Sequence, residues 1–212
     1  MQNEKLHAYL DELIKKRPEL LDKMEQYAKE NAVPIMELSG IESMLQLLRI
    51  QKPRVILEIG TAIGYSALRM AYALPECKIM TIERDVSRYE LAEKFFLQAE
   101  KTSQIVLIKG DALEVEAAVK AYAPFDTIFI DAAKGQYQKF FEIYSRYLTE
   151  DGVIITDNVL FKGLVYADEI DNKRKKNLVN KIKNFNEWLM KHPDYDTVIL
   201  PVGDGVAISK KR

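Results

Sequence analysis

The stretch Val55-Ile56-Leu57-Glu58-Ile59-Gly60-Thr61-Ala62-Ile63-Gly64-Tyr65-Ser66 runs from an apolar segment through two glycines into an amphipathic one. A short run that is apolar but for Glu58 reads as a strand buried on both faces. The glycines allow a tight turn, and the helical pattern near 65–73 places that turn at a helix start. The unit is strand, turn, helix. Its glycine spacing is G-x-x-x-G, whereas a dinucleotide fingerprint needs glycine at 62 and 65. Ala62 and Tyr65 stand there instead, which argues against a nicotinamide cofactor.

Outward from this unit, Ile79–Ile82, Ile105–Ile108, Thr127–Ile130 and Val153–Ile155 read as further buried strands. Helical patterns near 86–100, 111–122 and 136–148 lie between them. Apolar strands separated by helices imply a parallel sheet covered on both faces. Thr197–Val202 and Val206–Ser209 differ, because Gly203-Asp204-Gly205 joins them as the tight turn of an antiparallel hairpin. The expectation is an α/β fold with a seven-stranded, mostly parallel sheet closed by that hairpin. Residues 1–50 read as a helical cover, with Leu6, Leu10, Leu13 and Ile14 on one face and Leu20, Met24 and Tyr27 on another. Ser39 and Glu42 read as a capping box ahead of Met44, Leu45, Leu47 and Leu48. A single domain over 1–212, with its α/β core over 53–212, is expected.

At 212 residues and 48% apolar content, such a domain hides about 70% of the surface its unfolded chain exposes. Lys and Arg number 31 against 32 Asp and Glu, a net charge of −1. High apolar content with low net charge excludes disorder. It also excludes a wholly basic nucleic-acid binder, though not a local basic face. Cys77, the only cysteine, excludes an intrachain disulfide and a multi-cysteine zinc site, and it reads as a small buried hydrophobe. No apolar run approaches the roughly 20 residues that cross a bilayer. The opening MQNEKLHAYLDELIKK lacks a signal-peptide core, so the expected compartment is cytoplasmic.

Ligands of an open α/β sheet gather outside the carboxyl ends of its strands. Glu83 ends the second strand, 19 residues beyond Gly64, where an acid accepts ribose hydroxyls. Gly110-Asp111-Ala112 ends the third, placed for an adenine edge. The fourth runs into Asp131-Ala132-Ala133-Lys134 and the fifth into Asp157-Asn158. Asp131, Asp157 and Asn158 form an all-oxygen set that suits magnesium and fits zinc or copper poorly. Lys134 stands three residues past Asp131, close enough to act on what such an ion holds.

VILEIGTAIGYSALRMA, IERD, GDA, FIDAAKGQY and GVIITDNVLFKG together resemble the cation-dependent, catechol-type S-adenosylmethionine O-methyltransferases. The resemblance runs from about Val33 to the C-terminus, and within the family it is nearest the bacterial branch that methylates tRNA 5-hydroxyuridine. VPIME, GQYQKFF, TDNVLFKGLV and HPDYDTVILPVGDG carry that nearer likeness. It implies a Rossmann-like class I methyltransferase fold, S-adenosylmethionine as cofactor, Mg2+ or another divalent cation, and a homodimer. Position by position, it implies Met36 against the methionine part of the cofactor. Ser66 and the backbone near Gly60 would hold its amino-acid end, Glu83 the ribose, and Asp111 and Ala112 the adenine. Asp131, Asp157 and Asn158 match the metal ligands, with Asp131 also near the cofactor, and Lys134 matches the general base. Glu58 reads as an organiser of the glycine turn.

A metal that binds two vicinal substrate oxygens suits a catechol, and it suits the O5 and O4 of 5-hydroxyuracil equally well. Small catechol or hydroxycinnamoyl-type substrates are therefore the alternative to tRNA. Outside the core, Lys173, Arg174, Lys175, Lys176, Lys181 and Lys183 form a basic run without an acid, and Lys210, Lys211 and Arg212 a basic tail. Such clusters supply phosphate contacts, and with the family resemblance they favour tRNA as partner. Val179, Ile182, Phe185 and Leu189 read as core, and Trp188 as a packing residue. A non-catalytic RNA-binding protein is the reading from another class, and the intact set of Asp131, Lys134, Asp157 and Asn158 argues against it.

Overall fold

The buried segment Val55–Ile59 is β1 of a seven-stranded sheet in a computed structural model that describes residues 2–167 and 169–212, the side chains of 2–4 and 7 aside. With β1, strands β2 (Lys78–Glu83), β3 (Ile105–Lys109), β4 (Phe125–Ile130) and β5 (Leu148–Thr156) run parallel. Strands β6 (Tyr195–Leu200) and β7 (Val206–Lys211) close the sheet antiparallel, in the order β3-β2-β1-β4-β5-β7-β6. The expected α/β fold with its closing hairpin is the fold found. Winding reverses between β1 and β4, so a crevice opens at their carboxyl ends.

Eight α-helices surround the sheet among the described residues: α1 (Gln2–Leu13), α2 (Glu19–Glu30), α3 (Leu38–Gln51), α4 (Tyr65–Ala73), α5 (Val86–Gln98), α6 (Glu116–Lys120), α7 (Tyr137–Tyr144) and α8 (Lys173–Met190). Strand alternation feeds two cores. Ile56 packs with Met24, Met44, Leu48 and Leu68 on one face, and Leu57 and Ile59 pack with Phe140, Phe141 and Phe185 on the other. Full burial of each such side chain contributes about 1.5–3 kcal/mol. Cys77 is buried as expected, and Trp188 packs on Phe141 and Phe185.

Three local expectations change. Ser39 and Glu42 make no capping box: α3 starts at Leu38, its N-cap is Glu37, and Glu42 instead pairs with Arg69. The Arg69 side chain is only 4% exposed, and a buried guanidinium needs a carboxylate more than a helix end needs a cap. The pattern at 111–122 yields helix only over Glu116–Lys120, because Asp111 Oδ1 accepts from Leu113 N at 2.9 Å and holds a turn there. The apolar faces of the first helices also shift. Leu6, Leu10 and Leu13 are exposed, and α2 buries Leu21, Met24 and Ala28 while Tyr27 lies at the rim against Phe95. Glu25, bonded to both Arg17 and Tyr65, sets that rotation. Among the described residues, no helix is long and apolar enough to cross a membrane.

Candidate active site

Gly60 takes φ +104° at the end of β1, and a Cβ there would lie 2.0 Å from the carbonyl oxygen of Asp131. Only glycine lets the ends of β1 and β4 close together, which is where the crevice begins. Beneath the turn lies Glu58, fully buried, its carboxylate accepting hydrogen bonds from Ser66 Oγ and Thr81 Oγ1. Burial pushes its pKa up to about 7, against those two hydrogen bonds. Glu58 thus ties α4 to β2 under the turn, the organising place expected of it.

Glu83, 8% exposed, ends β2. Its Oε2 accepts from Ala62 N at 2.8 Å, and its Oε1 from Arg84 N and Asp85 N at 2.9 Å. The carboxylate is locked in place with acceptor capacity remaining, as a ribose diol requires. Asp111 follows β3, and its carboxyl is held below its usual range by the Leu113 amide and by Arg84 at 2.8 Å. Ala112 is buried, its carbonyl taken by Tyr144 Oη at 2.6 Å. Met36, 4% exposed, lies ahead of α3 against Gly40.

Asp131 and Asp157 leave the ends of the adjacent strands β4 and β5, their amides donating to Ile59 O at 2.9 Å and Ile130 O at 3.0 Å. Burial raises the pKa of both carboxyls, and each faces further acid: Asp131 acts on Asp157, and Asp204 on both. The Lys134 ammonium opposes the rise. Asp157 Oδ2 accepts from Asn158 Nδ2 at 2.8 Å, whereas its Oδ1 is buried without a partner. Asn158 adopts φ +58°, a left-handed conformation that asparagine tolerates, and its Oδ1 accepts from Lys134 Nζ. Lys134 Nζ also lies 5.8 Å from the centre of the Phe161 ring. A buried and a half-buried carboxylate that repel each other, the buried one with an orphaned oxygen, beside an amide oxygen, fit a hard divalent cation. Among the described residues no group of three or more His, Cys, Asp or Glu could hold a metal ion by itself.

The crevice thus brings together Gly60, Glu83, Asp131, Lys134, Asp157 and Asn158 around neighbouring strand ends, with Ser66 below and Asp111 and Ala112 after β3. Asp204 also faces this cluster, although its sequence context marks it only as a turn residue. It is delivered by hairpin pairing: β7 lies against β5, Lys162 N donates to Asp204 Oδ1, and Gly203 packs on Gly40. An acid between two glycines, in a hairpin that pairs beside Asp157, is the signal that could have found it.

The O-methyltransferase family pattern matches residues 11–212. The catechol O-methyltransferase of Niastella koreensis is 31% identical over 97% of this chain and 96% of its own. A Staphylococcus aureus structure, provisionally described as a caffeoyl-CoA O-methyltransferase, superposes with a TM-score of 0.92 at 36% identity, covering 100% of both chains. The O-methyltransferase TomG of Streptomyces achromogenes, in complex with S-adenosylmethionine, gives 0.82 at 27% identity over 98% of this chain and 96% of its own. Pattern, relatives and fold agree along the chain, and it belongs to the O-methyltransferase family.

Proposed function

We propose that the protein is an S-adenosylmethionine- and divalent-cation-dependent O-methyltransferase that converts 5-hydroxyuridine of tRNA to 5-methoxyuridine in the cytoplasm. The observation that carries the chemistry is the cluster of Asp131, Asp157 and Asn158 beside Lys134, with Asp157 Oδ1 buried and unpartnered. When bound, S-adenosylmethionine supplies a methyl activated on a sulfonium, and a divalent cation, Mg2+ by the oxygen-only donor set, supplies charge that lowers the proton affinity of a hydroxyl. Asp131, Asp157 and Asn158 would hold the cation. Glu83 would hold the ribose, Asp111 and Ala112 would flank the adenine, and Met36, Ser66 and the Gly60 backbone would flank the methionine end. Lys134 would take the hydroxyl proton, freeing the oxygen to accept that methyl group. A homodimer belongs to the same reading, and the groove between Leu47, Ile50, Val202 and Ile208 offers it an apolar surface.

The tRNA substrate is supported by α8. Lys173, Arg174, Lys175 and Lys176 are exposed in its first turn, and none of them pairs with a carboxylate among the described residues. Charge reversal at Arg174 and Lys176 should raise KM for tRNA and make the slope of log affinity against log salt shallower by about one unit per lost contact. Methylation of a free catechol should barely respond. An equal response of both substrates, or none with tRNA, would move the small catechol or hydroxycinnamoyl substrates ahead.

Glu83→Gln tests the cofactor side. It keeps the size of the side chain but removes a charged acceptor, so S-adenosylhomocysteine binding should weaken by about 1–3 kcal/mol in calorimetry. Unchanged affinity would remove Glu83 from the site.

A further inference from the structure

We infer that Lys181 is a positioning residue for a phosphate of the substrate, held directly beside the catalytic turn. The inference rests on the methyl-transfer reading above and adds a residue outside the strand-end cluster. Lys134 begins a single 3-10 turn, Lys134–Gln136, whose middle residue is Gly135. A methyl group added at Gly135 would sit 3.5 Å from both Cδ and Nζ of Lys181. The ammonium of Lys181 therefore lies against the residue that follows Lys134, reaching across from α8.

The placement is fixed from behind. Val179, Ile182, Phe185 and Leu189 are buried and seat α8, with Phe185 one turn from Lys181, so Lys181 stands at the edge of the buried face. Asn186 Nδ2, on the next turns, donates to Val159 O at 2.8 Å and ties α8 to the loop after Asp157 and Asn158. Lys181 itself is exposed, and no carboxylate pairs with it among the described residues. A cation at the rim of a site, anchored yet unpaired, is suited to an anion that arrives with the substrate. Arg174 stands seven residues earlier, two helical turns or about 10.5 Å along the same face. The pair marks a line of positive charge that leads to the catalytic turn. The reacting ring must reach Lys134 and the strand-end acids, so the nearest phosphate attached to it is the group Lys181 would meet. That phosphate is the flanking phosphodiester of an RNA, or the phosphate of a coenzyme A thioester.

Lys181→Met keeps the apolar stem and removes the charge, and Lys181→Arg restores the charge. Initial rates would be measured on matched pairs: an anticodon stem-loop carrying 5-hydroxyuridine against the free nucleoside, and caffeoyl-CoA against caffeic acid. Lys181→Met should raise KM for the phosphate-bearing member of one pair about tenfold, leave its kcat and the phosphate-free member unchanged, and be rescued by Lys181→Arg. The pair that responds identifies the source of the phosphate. Equal shifts within both pairs would show that Lys181 only supports the turn, and no shift in either would show that it meets no phosphate. Both results overturn the inference. The tRNA reading is judged separately, by whether the wild-type enzyme methylates the stem-loop at all.

Discussion

Asp157→Asn should lower kcat/KM by about a thousandfold, roughly 4 kcal/mol of transition-state stabilisation, while leaving the protein folded. Asp157 is 1% exposed, and one of its oxygens is buried without a hydrogen-bond partner. Such an arrangement costs stability and persists where a ligand completes it. Exhaustive treatment of the wild-type enzyme with EDTA should reproduce the loss of turnover. Stability should move the other way. Burial, then repulsion by Asp131, raises the Asp157 carboxyl above its unfolded value of 3.8. The folded state keeps a proton that the unfolded chain releases, so stability is full below the unfolded value and is lost as pH rises through the folded one. The amide of the variant cannot ionise and escapes that loss. In chelator-treated protein, the unfolding midpoint should therefore fall less from pH 5 to pH 8 for the variant than for wild type. Near-wild-type turnover would exclude Asp157 from the reaction, and identical pH slopes would show that the Asp157 carboxyl is not raised in the folded state.

Much of this site was legible because strand-end chemistry is local in sequence. Val55–Ile59 is β1 to the residue, and Gly60, Glu83, Asp131 and Asp157 each follow directly from the run that forms their strand. Once parallel neighbours are expected, the ends of β1, β4 and β5 must meet, and their acids meet with them. What was not legible depends on pairing between distant segments. Asp204 reaches the site only because β7 inserts between β5 and β6. Glu42 left its cap position for Arg69, 27 residues away, whose burial no local pattern announces. The rotation of α2 is likewise set by Tyr65, 40 residues beyond Glu25. Helical period finds that a face exists, whereas the partner that fixes its angle lies elsewhere in the chain.

Lys134→Ala should lower kcat by about 10²–10⁴ with cofactor binding little changed, the range expected when a positioned base is removed. The geometry allows a competing explanation. Lys134 Nζ donates to Asn158 Oδ1, and its charge also offsets those of Asp131 and Asp157. Loss of the lysine could therefore slow turnover by disturbing the acids and not by removing a base. Lys134→Arg separates the two. Arginine keeps a cation and hydrogen-bond donors near Asn158 but cannot give up its proton within any working pH range. If Lys134 takes the substrate proton, Lys134→Arg should be as slow as Lys134→Ala. If the lysine only balances charge, Lys134→Arg should recover most of the rate while Lys134→Ala does not. Recovery by arginine, or a near-wild-type kcat in the alanine variant, would leave substrate deprotonation to water and reduce Lys134 to a residue that steadies Asn158.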